Sequence, residues 1–183
     1  MKNGPGATRA IFFIGFMGAG KTTVGAAVAK ELGWGFIDLD DVITGAALRT
    51  VAEIFRDEGE AGFRERETEA LRHVLDRKLC LRPTVVALGG GAFVQPQNFH
   101  LIRSAKHPTV FLDAEIQELR NRCATQAGRR PLYQDENQFR QLYDARRSAY
   151  MEADLRVDTA GKAVDEIVKE VISRLDLTDD FIE

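Results

Sequence analysis

A stretch near the start of the chain has the residue types and spacing needed to hold a triphosphate. Gly15-Phe16-Met17-Gly18-Ala19-Gly20-Lys21-Thr22 fits the pattern G-x-x-x-x-G-K-[ST], between an apolar run and a helical stripe. Glycines let the backbone turn its N–H groups inward around phosphates, and the N-terminus of the following helix adds partial positive charge. Lys21 can reach the outer phosphates, and the Thr22 hydroxyl can bind Mg²⁺. Gly18, Ala19, Gly20, Lys21, Thr22 and Thr23 are the expected contacts of a nucleotide's phosphates.

The loop does not say what receives the phosphate. Asp38 and Asp40 lie two apart at the end of a short apolar segment. Extended backbone would turn both side chains to one side, one toward the Mg²⁺ shell and the other toward an acceptor hydroxyl. Aspartate is also a favoured helix cap, so either residue could serve the next helix instead. The acid expected to close a second apolar strand is missing after Val85-Val86-Ala87-Leu88, where Gly89-Gly90-Gly91 stands. Three glycines at a strand end fit close approach of a ligand or a tight turn. The missing acid leaves Thr22 and Asp38 as the candidate metal ligands.

Basic residues are distributed unevenly. Between Lys106 and Lys162 there is no lysine, yet Arg120, Arg122, Arg129, Arg130, Arg140, Arg146, Arg147 and Arg156 all occur. Arginine grips carboxylate and phosphate with two parallel donors, whereas lysine acts as a point charge. Arg129 and Arg130 lie in a stretch without apolar periodicity and are candidates for a lid closing over phosphate. Arg64 follows the apolar Phe63, and Glu67, three residues on, can orient it. His73, His100 and His107 have no metal spacing and no nucleophile partner.

These groups must be held by a fold. The 183 residues are 44% hydrophobic and 29% charged, an ordinary globular balance suited to one domain spanning 1–183. With 25 Lys and Arg against 28 Asp and Glu the net charge is −3, which argues against a nucleic-acid or membrane-surface binder. The apolar run from Ile11 to Met17 is too short to span a bilayer. A soluble cytoplasmic protein with reduced Cys80 and Cys123 is expected.

Strand-like runs at 10–14, 36–37, 84–88, 109–112 and 156–158 alternate with helical patterns. One of these patterns runs from Val42 to Leu81. Alternating strands and helices with nearly continuous apolar strands call for a three-layer α/β/α fold around a mainly parallel sheet. Ligands in such folds gather at the carboxyl ends of the strands, where the glycine loop, the acids and the triple glycine all fall.

The ordered set of motifs resembles the shikimate kinases. It comprises residues 15–22, Asp-Leu-Asp at 38–40, Ile-Phe at 54–55, Glu-Ala-Gly-Phe-Arg at 60–64, Glu67, the glycines at 89–91, Arg-Pro-Leu at 130–132, and Arg146 with Tyr150. The resemblance implies a P-loop kinase of the nucleoside-monophosphate-kinase type, with a five-stranded parallel sheet in the order 2-3-1-4-5. Residues of about 41–81 would form a substrate-binding helical segment and about 121–134 a mobile lid. It implies transfer of the ATP γ-phosphoryl group to the 3-hydroxyl of shikimate, with Mg²⁺, in a protein expected to be a monomer. A related kinase acting on another carboxylated polyol such as gluconate is the alternative.

By the same resemblance Lys21, Asp40 and Arg130 would be catalytic, and Asp40, Arg64, Arg146 and Gly89, Gly90 and Gly91 would bind shikimate. Arg122 and Arg130 would join the ATP contacts, and Thr22 with Asp38 would serve the metal. Three positions depart from the family pattern: Leu48 replaces a usual glycine, Tyr133 a leucine and Ser148 a proline.

Replacing Lys21 by methionine is expected to lower turnover by several powers of ten, the scale of a lost transition-state charge. Steady-state ADP release measures it, and near-normal turnover would show that the loop does not hold phosphate as described.

Overall fold

Ala10-Ile11-Phe12-Phe13-Ile14 is apolar throughout and buried throughout, which requires cover on both faces of the strand it forms. This strand, β1 (Ala10–Ile14), is the middle of the sheet. The remaining elements are α1 (Lys21–Glu31), β2 (Gly35–Asp38), α2 (Leu39–Ala47), α3 (Val51–His73) with a π-helical turn after it (Val74–Lys78), β3 (Thr84–Ala87), α4 (Pro96–Ser104), β4 (Thr109–Asp113), α5 (Ile116–Thr125), α6 (Glu136–Tyr150), β5 (Leu155–Asp158) and α7 (Val164–Arg174). The computed structural model describes residues 9–79, 81–125 and 136–177.

The sheet is parallel with order β2-β3-β1-β4-β5, as the resemblance implied. Its core is one apolar cluster running from β1, β3 and β4 into α1 and α7. At the edge, β5 alternates buried Leu155 and Val157 with exposed Arg156 and Asp158. Among the described residues no helix is long and apolar enough to cross a membrane.

Register decides where the site can form. Phe13 of β1 pairs with Ala87 of β3, and Ala87 pairs with Asp38 of β2. Three strands therefore end at one level, and the residues two steps beyond are Gly15, Gly89 and Asp40. Strand pairing brings Gly15 and Gly89 to this level, and the start of α2 sets Asp40 beside Gly89.

The helical pattern expected without interruption over 42–81 is broken twice. α2 ends at Ala47, and Leu48 takes the left-handed conformation (φ 53°). Thr50 then starts α3 with a capping box: its hydroxyl accepts from Glu53 N–H at 3.2 Å, while the Glu53 carboxylate accepts from Thr50 N–H at 2.8 Å. The spacing Thr50-x-x-Glu53 was a readable start signal inside a longer apolar periodicity.

The second break is a kink at Gly59 (φ 70°) within α3. Glu58 spans it. Its carboxylate accepts two bonds from Arg66, at 2.7 and 2.9 Å, and also pairs with Arg49 ahead of the helix. The Arg66 fork, with Arg49 beside it, pulls the Glu58 carboxyl down to about 2. The kinked α3 carries Arg64.

At Leu48 a side chain occupies backbone that glycine adopts without penalty, and that side chain is 90% exposed. Leu48→Gly should remove the strain without losing a buried contact, partly offset by the freer unfolded chain. A net gain of about 0.5–1 kcal/mol, or roughly 1–4 °C in Tm, is expected in a thermal melt. A lower Tm would show that the exposed leucine contributes more than its backbone costs.

Candidate active site

The phosphate loop is shaped by the neighbours it must clear. Gly15 (φ 141°) has no room for a side chain, since a Cβ there would stand 2.6 Å from Leu112 O. A Cβ on Gly18 (φ 76°) would stand 2.7 Å from Leu119 O and 2.9 Å from the Cys123 sulfur. The loop is thus moulded on β4 and α5, with the half-buried Cys123 packed beneath it. Lys21 Nζ donates to the carbonyls of Gly15 and Phe16, both at 2.9 Å, and curls the loop around its own ammonium.

α6 pins the Phe16 ring with edge-on contacts from Phe139 (centroids 5.1 Å apart) and Tyr143 (5.4 Å). Gly20 caps α1, Ala19 is buried, and Thr22 and Thr23 are exposed on the first turn. No acidic residue sits in that turn to offset the positive helix end.

The two acids come together differently from the expected strand alternation. β2 ends at Asp38, and Asp40 already lies in the first turn of α2. Asp38 both caps the next helix and faces the phosphate loop. Its Oδ1 caps α2 by accepting from Asp40 N–H at 3.0 Å, and its Oδ2 accepts from the Thr22 hydroxyl at 2.7 Å. Thr22 and Asp38 thereby offer two hard oxygen ligands beside the phosphate loop. Among the described residues no group of three or more His, Cys, Asp or Glu side chains could hold a metal. A cation here would complete its shell from phosphates and water, as Mg²⁺ does.

Across from the loop, Asp40 Oδ1 lies 3.0 Å from where a Cβ on Gly89 would stand, and Glu67 Oε1 lies 2.8 Å from the same point. A Cβ on Gly91 would run into the Arg64 guanidinium, so the triple glycine is a close-approach surface. Arg64 Nη1 donates to Glu67 Oε2 at 2.9 Å and Nη2 to Glu60 at 3.1 Å, while Gln95 donates to Glu67 Oε2 at 2.6 Å. Arg146 Nη1 lies 3.5 Å from the notional Gly90 Cβ, and the Tyr150 hydroxyl donates to Gly90 O.

Glu67 is fully buried. Burial raises its carboxyl above the ordinary range, and Arg64 is the strongest opposing influence. Asp40 and Arg146 also act on it, so these four side chains share one electrostatic environment.

Other candidates stand apart from the acceptor side. Arg122 donates to Thr159 Oγ1 at 3.0 Å, Thr159 O at 2.9 Å and Glu118 at 2.5 Å, tying α5 to the turn after β5. Arg129, Arg130 and Cys80 lie outside the described residues, as does most of the expected lid. Sequence reasoning missed Asp113, a buried acid at the end of β4 that accepts from Arg147 at 3.0 Å and Arg156 at 2.9 Å. An aspartate closing an apolar strand was the available signal. Gln95 carried none.

The shikimate kinase family model matches residues 17–176. A shikimate kinase from Geobacter sulfurreducens is 41% identical over 170 residues, covering 91% of each chain. One from Persephonella marina is 32% identical over 167 residues, covering 91% of this chain and 99% of the relative. Among solved structures, a shikimate kinase from Acinetobacter baumannii in complex with shikimate superposes with a TM-score of 0.82 at 33% identity, covering 96% of this chain and 97% of that one. A gluconokinase from Sinorhizobium meliloti shares the fold at 22% identity and a TM-score of 0.65. With a matching family model over most of its length, a parallel sheet in the order 2-3-1-4-5 and a phosphate loop facing an arginine-lined glycine surface, the chain belongs to the shikimate kinase family.

Proposed function

We propose that this site transfers the γ-phosphoryl group of ATP to the 3-hydroxyl of shikimate, a step toward chorismate and the aromatic amino acids. One observation carries the reading: in-register strand ends bring the Lys21 loop and Asp40 against a glycine surface flanked by Arg64 and Arg146. A triphosphate fits the first half, and a small alcohol bearing a carboxylate fits the second.

Phosphoryl transfer breaks the bond from the β–γ bridging oxygen to the γ-phosphorus and forms one from the acceptor oxygen, through a loose transition state. Positioning and charge stabilisation therefore dominate over proton removal. Asp40 aligns the acceptor hydroxyl and takes its proton as the new bond forms. Lys21 moves from the carbonyls of Gly15 and Phe16 to the phosphate oxygens, and backbone N–H groups of Gly18 to Thr23 hold the rest.

Arg64 and Arg146 take the carboxylate, with Gly89, Gly90 and Gly91 lining the ring. Arg130 belongs to the transferring phosphate and Arg122 to the adenine side. Mg²⁺ held through Thr22 and Asp38 would neutralise phosphate charge. The reading extends to a monomer in the cytoplasm, using two diffusible substrates.

Titrating shikimate into enzyme, ATP and Mg²⁺ while following ADP should give saturable, acceptor-dependent release. Gluconate in place of shikimate should give little. Equal or greater release with gluconate, or release indifferent to either acceptor, would overturn the assignment.

Glu67→Gln separates function from stability. The native state holds the Glu67 proton more tightly than the unfolded chain does, so this group makes the fold less stable as pH rises above its ordinary value near 4.5. The Tm of Glu67→Gln relative to the parent should therefore rise from pH 4 to pH 7 in parallel melts. Its KM for shikimate should increase, because Arg64 loses the charge that orients it. A variant that gains nothing in relative Tm over that interval would show that Arg64 fully offsets the cost of burial.

A further inference from the structure

The two acceptor-side arginines stand in different surroundings. Arg64 leans on the carboxylates of Glu60 and Glu67. Among the described residues no carboxylate forms an ion pair with Arg146. Its Nη1 lies 3.5 Å, and the Tyr150 hydroxyl one turn further along α6 lies 3.8 Å, from where a Cβ on Gly90 would stand. The same hydroxyl donates to the Gly90 carbonyl, sixty residues away in sequence. Its ring is 1% exposed and packs on Phe111 with centroids 5.3 Å apart, so the phenol has little freedom to swing away.

We propose that Tyr150 is a positioning residue for the acceptor, its hydroxyl bracing the triple-glycine loop at Gly90, where the Arg146 guanidinium stands. The inference rests on the acceptor reading above. Glu67 pairs with Arg64 and neutralises part of its charge, whereas a neutral phenol near Arg146 leaves the full charge for an incoming anion. The hydroxyl also fixes the Gly90 carbonyl in a loop where no side chain could brace the backbone. Burial raises the Tyr150 ionisation well above the ordinary phenol value, against the opposing pull of Arg146, so the donated proton stays in place.

Tyr150→Phe keeps the ring and removes only the hydroxyl. Losing this buried bond should raise the KM for shikimate by about tenfold, with the KM for ATP within twofold and the Tm within a few degrees of the parent. An unchanged KM for shikimate, or equal rises in both KM values with a large loss of Tm, would overturn the proposal in favour of simple packing.

A readout on the parent chain covers the case of a variant that fails to fold. The chain has three tyrosines. With ¹³Cζ-labelled tyrosine, the Tyr150 signal is identified by elimination using Tyr133→Phe and Tyr143→Phe. That signal should move when shikimate is added and stay still with ADP alone. No response to shikimate would overturn the proposal. A parent enzyme without shikimate-dependent ADP release overturns the functional reading and this inference together, whereas an active parent with an unaffected Tyr150→Phe overturns this inference alone.

Discussion

The pairing register of three neighbouring strands is the constraint on which the site depends. Parallel hydrogen bonding sets Phe13, Ala87 and Asp38 side by side. The chain then leaves β1, β3 and β2 at one level, and each exit delivers a different chemistry: a phosphate loop, a bare glycine surface and an acid. A slip of one residue in any strand would turn its side chains to the other face of the sheet and separate these groups. The buried apolar runs on both faces make such a slip costly, so the core and the site are specified by the same interaction.

Within that frame the chain solves a charge problem locally. Its net charge of −3 supplies no attractive field for a triphosphate or a carboxylate. Cations are instead held in position by partners that a bound anion can replace or supplement. Lys21 rests on two backbone carbonyls and Arg64 on Glu67 and Glu60, while Arg146 stands beside Gly90. A buried carboxylate such as Glu67 is a poor choice for stability alone, because desolvation opposes its ionisation. What it provides is a guanidinium held facing the glycine surface.

Two helices act as braces between the halves of the site. α6 presses Phe139 and Tyr143 on Phe16 of the phosphate loop, and at its far end presents Arg146 and Tyr150 to the glycine surface. Asp113 secures the same helix through Arg147, and Arg147 also donates to the Tyr143 hydroxyl at 3.1 Å. On the other side, the kink of α3 at Gly59 is spanned by Glu58 and the fork of Arg66, which sets the direction of the segment carrying Arg64. Isolated surface ion pairs contribute little, but a two-pronged bridge across a bend fixes geometry.

What the sequence determined was whatever depends on near neighbours along the chain. The glycine spacing and Lys21-Thr22 specify a phosphate loop because its ligands are consecutive. Continuous apolar runs at β1, β3 and β4 specify buried parallel strands because no other placement satisfies both faces. The Arg64–Glu67 pair was legible because three residues on a helix bring side chains together. Even the missed break at Leu48–Thr50 was written locally, in a capping box masked by apolar periodicity.

Tertiary structure alone decided the partners far apart in sequence: Tyr150 with Gly90, and Arg147 and Arg156 with Asp113. It also resolved Asp38, whose two oxygens let one residue cap a helix and face the phosphate loop together. Residue type and spacing state what a side chain can bond. Only strand order and register state what stands opposite it.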